Sequence, residues 1–333
     1  MASKRGGVIG IGGIGIWHAQ MMRDSKRIDV VGLCDSNPAM AARAEKEFPG
    51  VPFHTDVAKF LAKAKLDVVA VVVPHDLHCP IAVQCLAAKV NVIVEKPMAT
   101  SFDECQQMIK AAKKAKRFLT VFHNRRHDGW FLAAKSAIDD GLIGKPIQID
   151  IAINFGPTAA TWRGFKRKSG GIMYDWGAHL VDYALHFAQS EVKAVSGFFY
   201  RSPGRDPELN EEHGSVRIHF ANGAIANLTV AGTGQGPIHR YFIVGTKGTL
   251  VDEWNWGETD KLKVHTRLSG GEPTVAEVQY QKTAWQKYYD GIAASLCDGA
   301  PLLVTPESAA KVINVFSTAE RSFAQGGVPL PLA

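Results

Sequence analysis

A doubly wound parallel α/β sheet followed by a mostly antiparallel sheet with flanking helices is the architecture this sequence predicts. The division falls into an α/β domain over residues 1–123 and an α+β domain over residues 124–333. Three observations carry the prediction. A glycine-rich turn follows the first apolar run, Val8-Ile9-Gly10-Ile11-Gly12-Gly13-Ile14-Gly15. Apolar strand-like runs then alternate with helical segments over about 120 residues, the pattern of a parallel sheet with crossover helices. Beyond Pro146 the chain changes to a series of short alternating segments with a hairpin signal at Asn222-Gly223, which reads as an antiparallel sheet.

Composition bounds the alternatives. With 46% hydrophobic and 21% charged residues in 333, the chain is expected to be soluble and globular, and no apolar run is long enough for a membrane helix. Lys4-Arg5 ahead of Val8 to Trp17 superficially resembles an export signal, but the run is broken by glycines and lacks a small-residue cleavage site. The five cysteines form no C-x-x-C pair, so reduced thiols and a cytoplasmic location are expected. The formal charge of +6 lies wholly in residues 1–123, which hold 17 Lys+Arg against 11 Asp+Glu. Much of that excess is Lys110, Lys113, Lys114, Lys116 and Arg117 on one amphipathic helix, a solvated face, and no nucleic-acid motif or membrane partner is expected.

In the first domain, G-x-G-x-x-G over Gly10 to Gly15 lets backbone N–H groups approach a pyrophosphate at the positive end of the following helix. Gly10, Gly12, Gly13, Ile14 and Gly15 are therefore candidate cofactor contacts. The second strand, Val30 to Cys34, ends at Asp35, twenty residues beyond Gly15, where a carboxylate would accept hydrogen bonds from the adenosine ribose; a turn or N-cap role before Asn37-Pro38 is the plain alternative. The charge of Asp35 favours NAD over NADP, with Ser36 and Arg43 keeping NADP open. A helix over Asp56 to Ala64 precedes a strand at Asp67 to Val73, and Pro74, His75 and His78 follow at the ligand-facing carboxyl edge. H-x-x-H spacing suggests metal, but no further ligand completes a set, so none is expected. Pro80 to Lys89 reads as a helix, Val90 to Val94 as a strand, and Glu95-Lys96-Pro97 stands at its end, where Pro97 constrains the backbone of Lys96. A helix from Ser101 to Lys116 and a strand at Phe118 to Phe122 complete the Rossmann arrangement.

The second domain begins with a helix at Asp128 to Gly141 and a strand at Pro146 to Phe155. A basic loop, Gly156 to Lys168 with Arg163, runs into Ser169 to Asp182, where Asp175, His179 and Asp182 stand at i, i+4 and i+7 and would share one face of a helix. A buried His satisfied by a neighbouring Asp is the ordinary explanation; a general base beside a carboxylate is the functional one. Strand segments follow at Ala194 to Tyr200, Gly214 to Ala221, Ala224 to Ala231, Arg240 to Val244, Thr249 to Glu253, Lys261 to Thr266 and Val275 to Gln281. Helices at Trp285 to Asp298 and Pro306 to Gln325 close the chain.

Taken in order, G-I-G-G-I-G-I-W-H at Gly10 to His18, Asp35, P-H-D-L-H at Pro74 to His78, E-K-P at Glu95 to Pro97, N-R-R at Asn124 to Arg126 and G-G-I-M-Y-D-W-G-A-H at Gly170 to His179 resemble the Gfo/Idh/MocA oxidoreductases. The resemblance spans nearly the whole chain. It departs at Val73-Pro74-His75, where Thr-Pro-Asn is common in the family, at His127, where an aromatic often follows the arginines, and at Trp176. What it implies is an NAD(P)-dependent dehydrogenase acting on a secondary alcohol of a sugar, cyclitol or related polyol. His179 would be the general base, Asp175 would bind substrate and bias the His, and Lys96 would bridge cofactor and reacting oxygen. Arg125, Arg163 and His75 are further substrate candidates, and Asp182 would hold the helix or orient a neighbour. The resemblance also allows a tightly held, cycling cofactor in a sugar oxidoreductase or redox-assisted glycoside cleavage; a rival of a different class is a non-catalytic NAD- or sugar-sensing regulator built on the same fold. The resemblance implies that the open face of the second sheet makes a subunit contact, so a homo-oligomer, a dimer or tetramer, is expected.

Overall fold

The computed structural model describes residues 3–155, 161–236, 238–253, 259–267 and 271–333. In the first unit the chain runs β1 (Lys4–Ile9), α1 (Gly13–Asp24), β2 (Ile28–Cys34), α2 (Ala41–Glu47), β3 (Phe53–His54), α3 (Val57–Ala64), β4 (Val68–Val71), α4 (His78–Ala87), β5 (Asn91–Val94), α5 (Phe102–Ala115) and β6 (Leu119–Val121). The six strands are parallel and ordered β3-β2-β1-β4-β5-β6. The order reverses between β1 and β4, the place at which such sheets bind ligands beyond their carboxyl ends. Val8, Val68 to Val71 and Val92 to Val94 are almost wholly buried, as strands covered on both faces require. Two helices start on the side chains that the sequence singles out. Asp56 accepts from the Lys59 N–H at 2.7 Å ahead of α3, and Ser101 accepts from the Glu104 N–H at 3.3 Å ahead of α5.

The second unit holds α6 (Gly129–Asp139), β7 (Pro146–Asn154), the short α7 (Lys166–Ser169), α8 (Gly177–Ala188) and strands β8 (Val192–Tyr200), β9 (His213–Phe220), β10 (Ile225–Ala231), β11 (Tyr241–Gly245), β12 (Gly248–Asp252), β13 (Lys261–Arg267) and β14 (Pro273–Gln279). They make one eight-stranded sheet, β14-β13-β12-β11-β7-β10-β9-β8, antiparallel except where β7 and β10 run parallel. Gly223 takes φ +88° in the β9–β10 turn, where the Asn222 side chain accepts from the Ala224 N–H at 3.1 Å. One face buries Ile149, Ile151, Ile153, Val216, Ile218, Ala226, Leu228 and Val230 in a core that includes α8. The other carries a polar ladder, in which Arg217 donates to Asn227 and Asn227 to Asp150, beside exposed Phe198 and Tyr200.

Two helices follow, α9 (Gln286–Asp298) and α10 (Pro306–Ala324). The compact units are Met1–Asn124 with Trp285–Ala310, and Arg125–Ala284 with Lys311–Ala333. The segment Trp285–Ala310, which sequence order alone assigns to the second domain, thus packs with the parallel sheet. Tyr288 explains it: its hydroxyl donates to the Val121 carbonyl at 3.0 Å at the end of β6, and its ring meets Phe122 edge-on at 4.9 Å. Among the described residues, no helix is long and apolar enough to cross a membrane.

Candidate active site

In the first unit the candidate residues gather at the carboxyl ends of β1, β2, β4 and β5. The three glycines of the turn have separable reasons to be glycine. Gly10 takes φ +85°, and a Cβ there would strike the Val72 carbonyl, so the ends of β1 and β4 approach only without one. A Cβ on Gly15 would strike the Gly10 carbonyl, so Gly15 sets the close approach of α1 to its strand. At Gly12 and Gly13 a Cβ would meet no protein atom within 4 Å. Packing therefore does not ask for glycine at these two positions, whereas a phosphate lying against the backbone would. Gly12 caps α1 without a side chain, no acidic residue stands in its first turn, and Ile14 is exposed. That cradle fits the pyrophosphate of a dinucleotide. Asp35 accepts from the Ile11 N–H and the Asn37 N–H, each at 2.9 Å, so its carboxylate also braces the glycine turn.

Pro74 precedes a tight turn, His75 to Leu77, in which His75 is buried. His78 is fully buried at the start of α4, with Nε2 3.0 Å from the Val73 carbonyl and Nδ1 2.8 Å from the Pro97 carbonyl. Burial pushes its pKa down against the pull of those carbonyls and of Glu95. Both ring nitrogens thus face backbone carbonyls, one of which the single N–H of the neutral ring can reach. Glu95 lies 3.1 Å from His18 Nε2 through one oxygen and accepts the Lys96 N–H at 2.8 Å through the other. Burial would raise the Glu95 pKa, but His18, Lys96 and His78 outweigh it and hold it below the ordinary carboxylate value. Lys96 itself is half-buried, and the peptide bond to Pro97 is cis.

In the second unit Arg125, Arg163, Asp175, Trp176 and His179 come together. Asp175 is not on a helix: it ends a tight turn, Ile172 to Tyr174, with φ −81° and ψ −81°, and α8 begins only at Gly177. The expectation that Asp175, His179 and Asp182 share one helix face is therefore corrected. Gly170 and Gly171, at φ +93° and +131°, turn the chain ahead of Ile172, and the non-helical ψ of Asp175 keeps it out of α8. Asp175 instead pairs with Arg163 Nε at 3.6 Å, while Asp182 takes both ends of the Arg126 guanidinium at 2.8 and 2.6 Å. His179 is buried and meets the edge of Trp176 at 5.8 Å. Trp176 is half-exposed, with the Arg125 guanidinium 4.5 Å over its ring and Phe155 5.8 Å away. Arg125 also donates to the buried Asp128 at 3.1 Å.

The segment leading to Asp175 is tied down by charge. Lys166 donates to Glu211 at 2.6 Å and lies 3.3 Å from Glu320, and Glu211 in turn accepts the Ile172 N–H at 3.3 Å. Lys166 to Ser169 is thus a short helix braced by acidic partners; Gly156 to Ala160, the start of the expected basic loop, lie outside the described residues. Sequence reasoning gave no role to His18, Arg126, Glu211 or Tyr289. Arg126 and His18 stood inside motifs quoted for the resemblance, but Glu211 and Tyr289 have no local signal, since only the fold brings them near their partners.

A Rossmann sheet with this cradle, carried on one chain with an antiparallel α+β domain, defines an NAD(P)-binding oxidoreductase. The comparisons agree: residues 4–123 match the family model described as an oxidoreductase family with NAD-binding Rossmann fold, and residues 131–251 match the GFO/IDH/MocA C-terminal domain. The chain belongs to the Gfo/Idh/MocA family. It is 24% identical to an NADP(+)-dependent scyllo-inositol 2-dehydrogenase of Bacillus subtilis, across 95% of this chain and 92% of that one. It is 27% identical to an inositol 2-dehydrogenase of Salmonella typhimurium, across 62% of each. Among solved structures, a putative oxidoreductase of Bacillus subtilis shares the fold at TM-score 0.89 and 22% identity, over 100% of this chain and 99% of that one.

Proposed function

We propose that this protein is an NAD(P)-dependent dehydrogenase that oxidises a secondary alcohol of a polyol, cyclitol or sugar. The observation that carries the reading is the gathering of Asp175, paired with Arg163 at 3.6 Å, and of His179, against the edge of the half-exposed Trp176, in the second unit. A base, a carboxylate and an aromatic ring are then held within one short stretch of chain. His179 takes the hydroxyl proton at a ring nitrogen, a task suited to an imidazole side chain. Asp175 accepts a substrate hydroxyl and is oriented by Arg163. Arg125 and Trp176 flank the substrate, where an aromatic face suits the C–H face of a ring. Lys96 contributes its ammonium to the negative charge that develops on the reacting oxygen. The nicotinamide, when bound, accepts the hydride. The glycine cradle and Asp35 bind the dinucleotide, and the Asp35 carboxylate favours NAD by repelling a 2′-phosphate.

Both inositol dehydrogenase relatives support a polyol substrate. A homo-oligomer through the outer face of the eight-stranded sheet is part of the same reading, supported by Phe198 and Tyr200, 53% and 47% exposed on neighbouring outward positions of β8. The test is a panel of cyclitols, sugars and linear polyols with NAD and NADP in parallel, followed at 340 nm. Turnover with a cyclitol or sugar and NAD is expected. Tight dinucleotide binding with no absorbance change across the panel would favour a sensor instead.

A further inference from the structure

We propose that Tyr289 and His18 form a buried hydrogen-bond relay that sets the position of Glu95 and, through it, of Lys96 at the cofactor edge. His18 is fully buried on α1, and its two ring nitrogens have different partners: Nδ1 lies 2.6 Å from the Tyr289 hydroxyl and Nε2 lies 3.1 Å from Glu95 Oε1. An ionised carboxylate only accepts, so Nε2 carries a proton and donates to it. Nδ1 is then left to accept from the Tyr289 O–H, and one neutral tautomer satisfies all three groups. The chain continues, because the second oxygen of Glu95 accepts the backbone N–H of Lys96 at 2.8 Å.

The surroundings leave the relay little freedom. The Tyr289 ring is fully buried on α9, the His18 ring packs on Phe122 at 4.3 Å, and Phe122 also meets Tyr289 at 6.0 Å. From the other side His78 reaches the Pro97 carbonyl. Glu95 and Lys96 are thereby each fixed by a separate hydrogen bond, and the Pro97 carbonyl lies against the His78 ring. A histidine that served only to fill space would not need a hydroxyl and a carboxylate on opposite nitrogens, since a buried polar group left unmatched is destabilising. Tyr289 and His18 act through Glu95 and are positioning residues.

The inference rests on the proposed role of Lys96 at the cofactor, so the experiment reads dinucleotide affinity rather than polyol turnover. Long-range 1H–15N correlation spectra of the full chain at neutral pH should show His18 as the Nε2–H tautomer. NADH fluorescence titration should show affinity weakened about five- to tenfold in Tyr289→Phe, the effect of one buried hydrogen bond. A second pair guards against a folding defect. His18→Gln keeps a donor toward Glu95 and should bind NADH within about threefold of the parent, whereas His18→Leu, of similar bulk, should bind about tenfold or more weakly. An Nδ1–H tautomer, or equal affinities for the Gln and Leu variants, overturns the relay. Lys96→Met separates the two readings. If it leaves NADH affinity unchanged, the role of Lys96 falls and the relay with it. If it weakens binding while the His18 and Tyr289 variants do not, the relay alone falls.

Discussion

The two units hold their functional groups by different means. At the edge of the parallel sheet the groups are set by backbone and by neutral or singly charged hydrogen bonds deep in the protein: Gly10 against Val72, Asp35 on the Ile11 N–H, His78 between two carbonyls, Glu95 on His18. Around Asp175 the work is done by ion pairs, Arg126 with Asp182, Arg163 with Asp175 and Lys166 with Glu211. The first arrangement is rigid because any change strikes the main chain. The second is adjustable, because a salt bridge can be re-drawn by changing one side chain. A cofactor shared across a family suits the former, and a substrate that differs between members suits the latter.

The sharpest break in the comparison lies in the chemistry itself. Lys96→Met and His179→Ala should each lower turnover by about 10²–10⁴-fold, the usual range for loss of a charge stabiliser or a general base. NADH binding should survive in His179→Ala, and unchanged turnover in either variant would sink the assignment. Next comes Arg126→Leu, which strands the Asp182 carboxylate, 4% exposed, without its bidentate partner. A loss of about 3 kcal/mol is expected by denaturant titration, with Arg126→Lys recovering part of it.

Gly12→Ala tests the backbone side. Its φ of −58° is open to alanine and a Cβ would meet no protein atom, so the melting temperature should stay within about 2 °C of the parent while NAD binds about tenfold more weakly, about 1.4 kcal/mol. A tight dinucleotide complex in that variant would mean the cradle is not where the phosphates lie. The smallest effect expected is that of Lys166→Met. Burial would raise the Glu211 pKa, but Lys166 outweighs it and holds it below the ordinary 4.5. A depressed carboxyl adds stability above its unfolded value and loses it as pH falls through its folded one. Arg201 and Glu320 also face this carboxylate, and Lys166 is 40% exposed, so the loss should be only about 1 kcal/mol at neutral pH. The gap between parent and variant should close as pH drops below 4.5; a gap that widened on acidification would show that Glu211 is not the group involved.

The same contrast explains what could be read from the chain. The Rossmann half announces itself locally, since glycine spacing, strand runs and Asp35 all act within one short stretch, and the strands of the second sheet announce themselves by alternation. Predicted and observed bounds differ by a residue or two for most of them, as at Ala194 to Tyr200 against Val192–Tyr200. The two-residue β3 was too short to show a period. Asp175 was misplaced on a helix because i, i+4 spacing cannot show where a helix starts, and α8 starts only at Gly177. Glu211 and Tyr289 went unnoticed because their meaning lies in partners 45 and 271 residues away.

The return of Trp285–Ala310 to the parallel sheet has a consequence for how the chain can be divided. Cutting after residue 124 would release a sheet stripped of Tyr288, Tyr289 and Val304, whose carbonyl accepts from Thr120 at 2.7 Å. During synthesis that sheet waits for nearly the whole polypeptide before its last wall arrives. A workable excised version would need residues 285–310 grafted back by a linker. Domain exchange among relatives would likewise have to move two pieces at once.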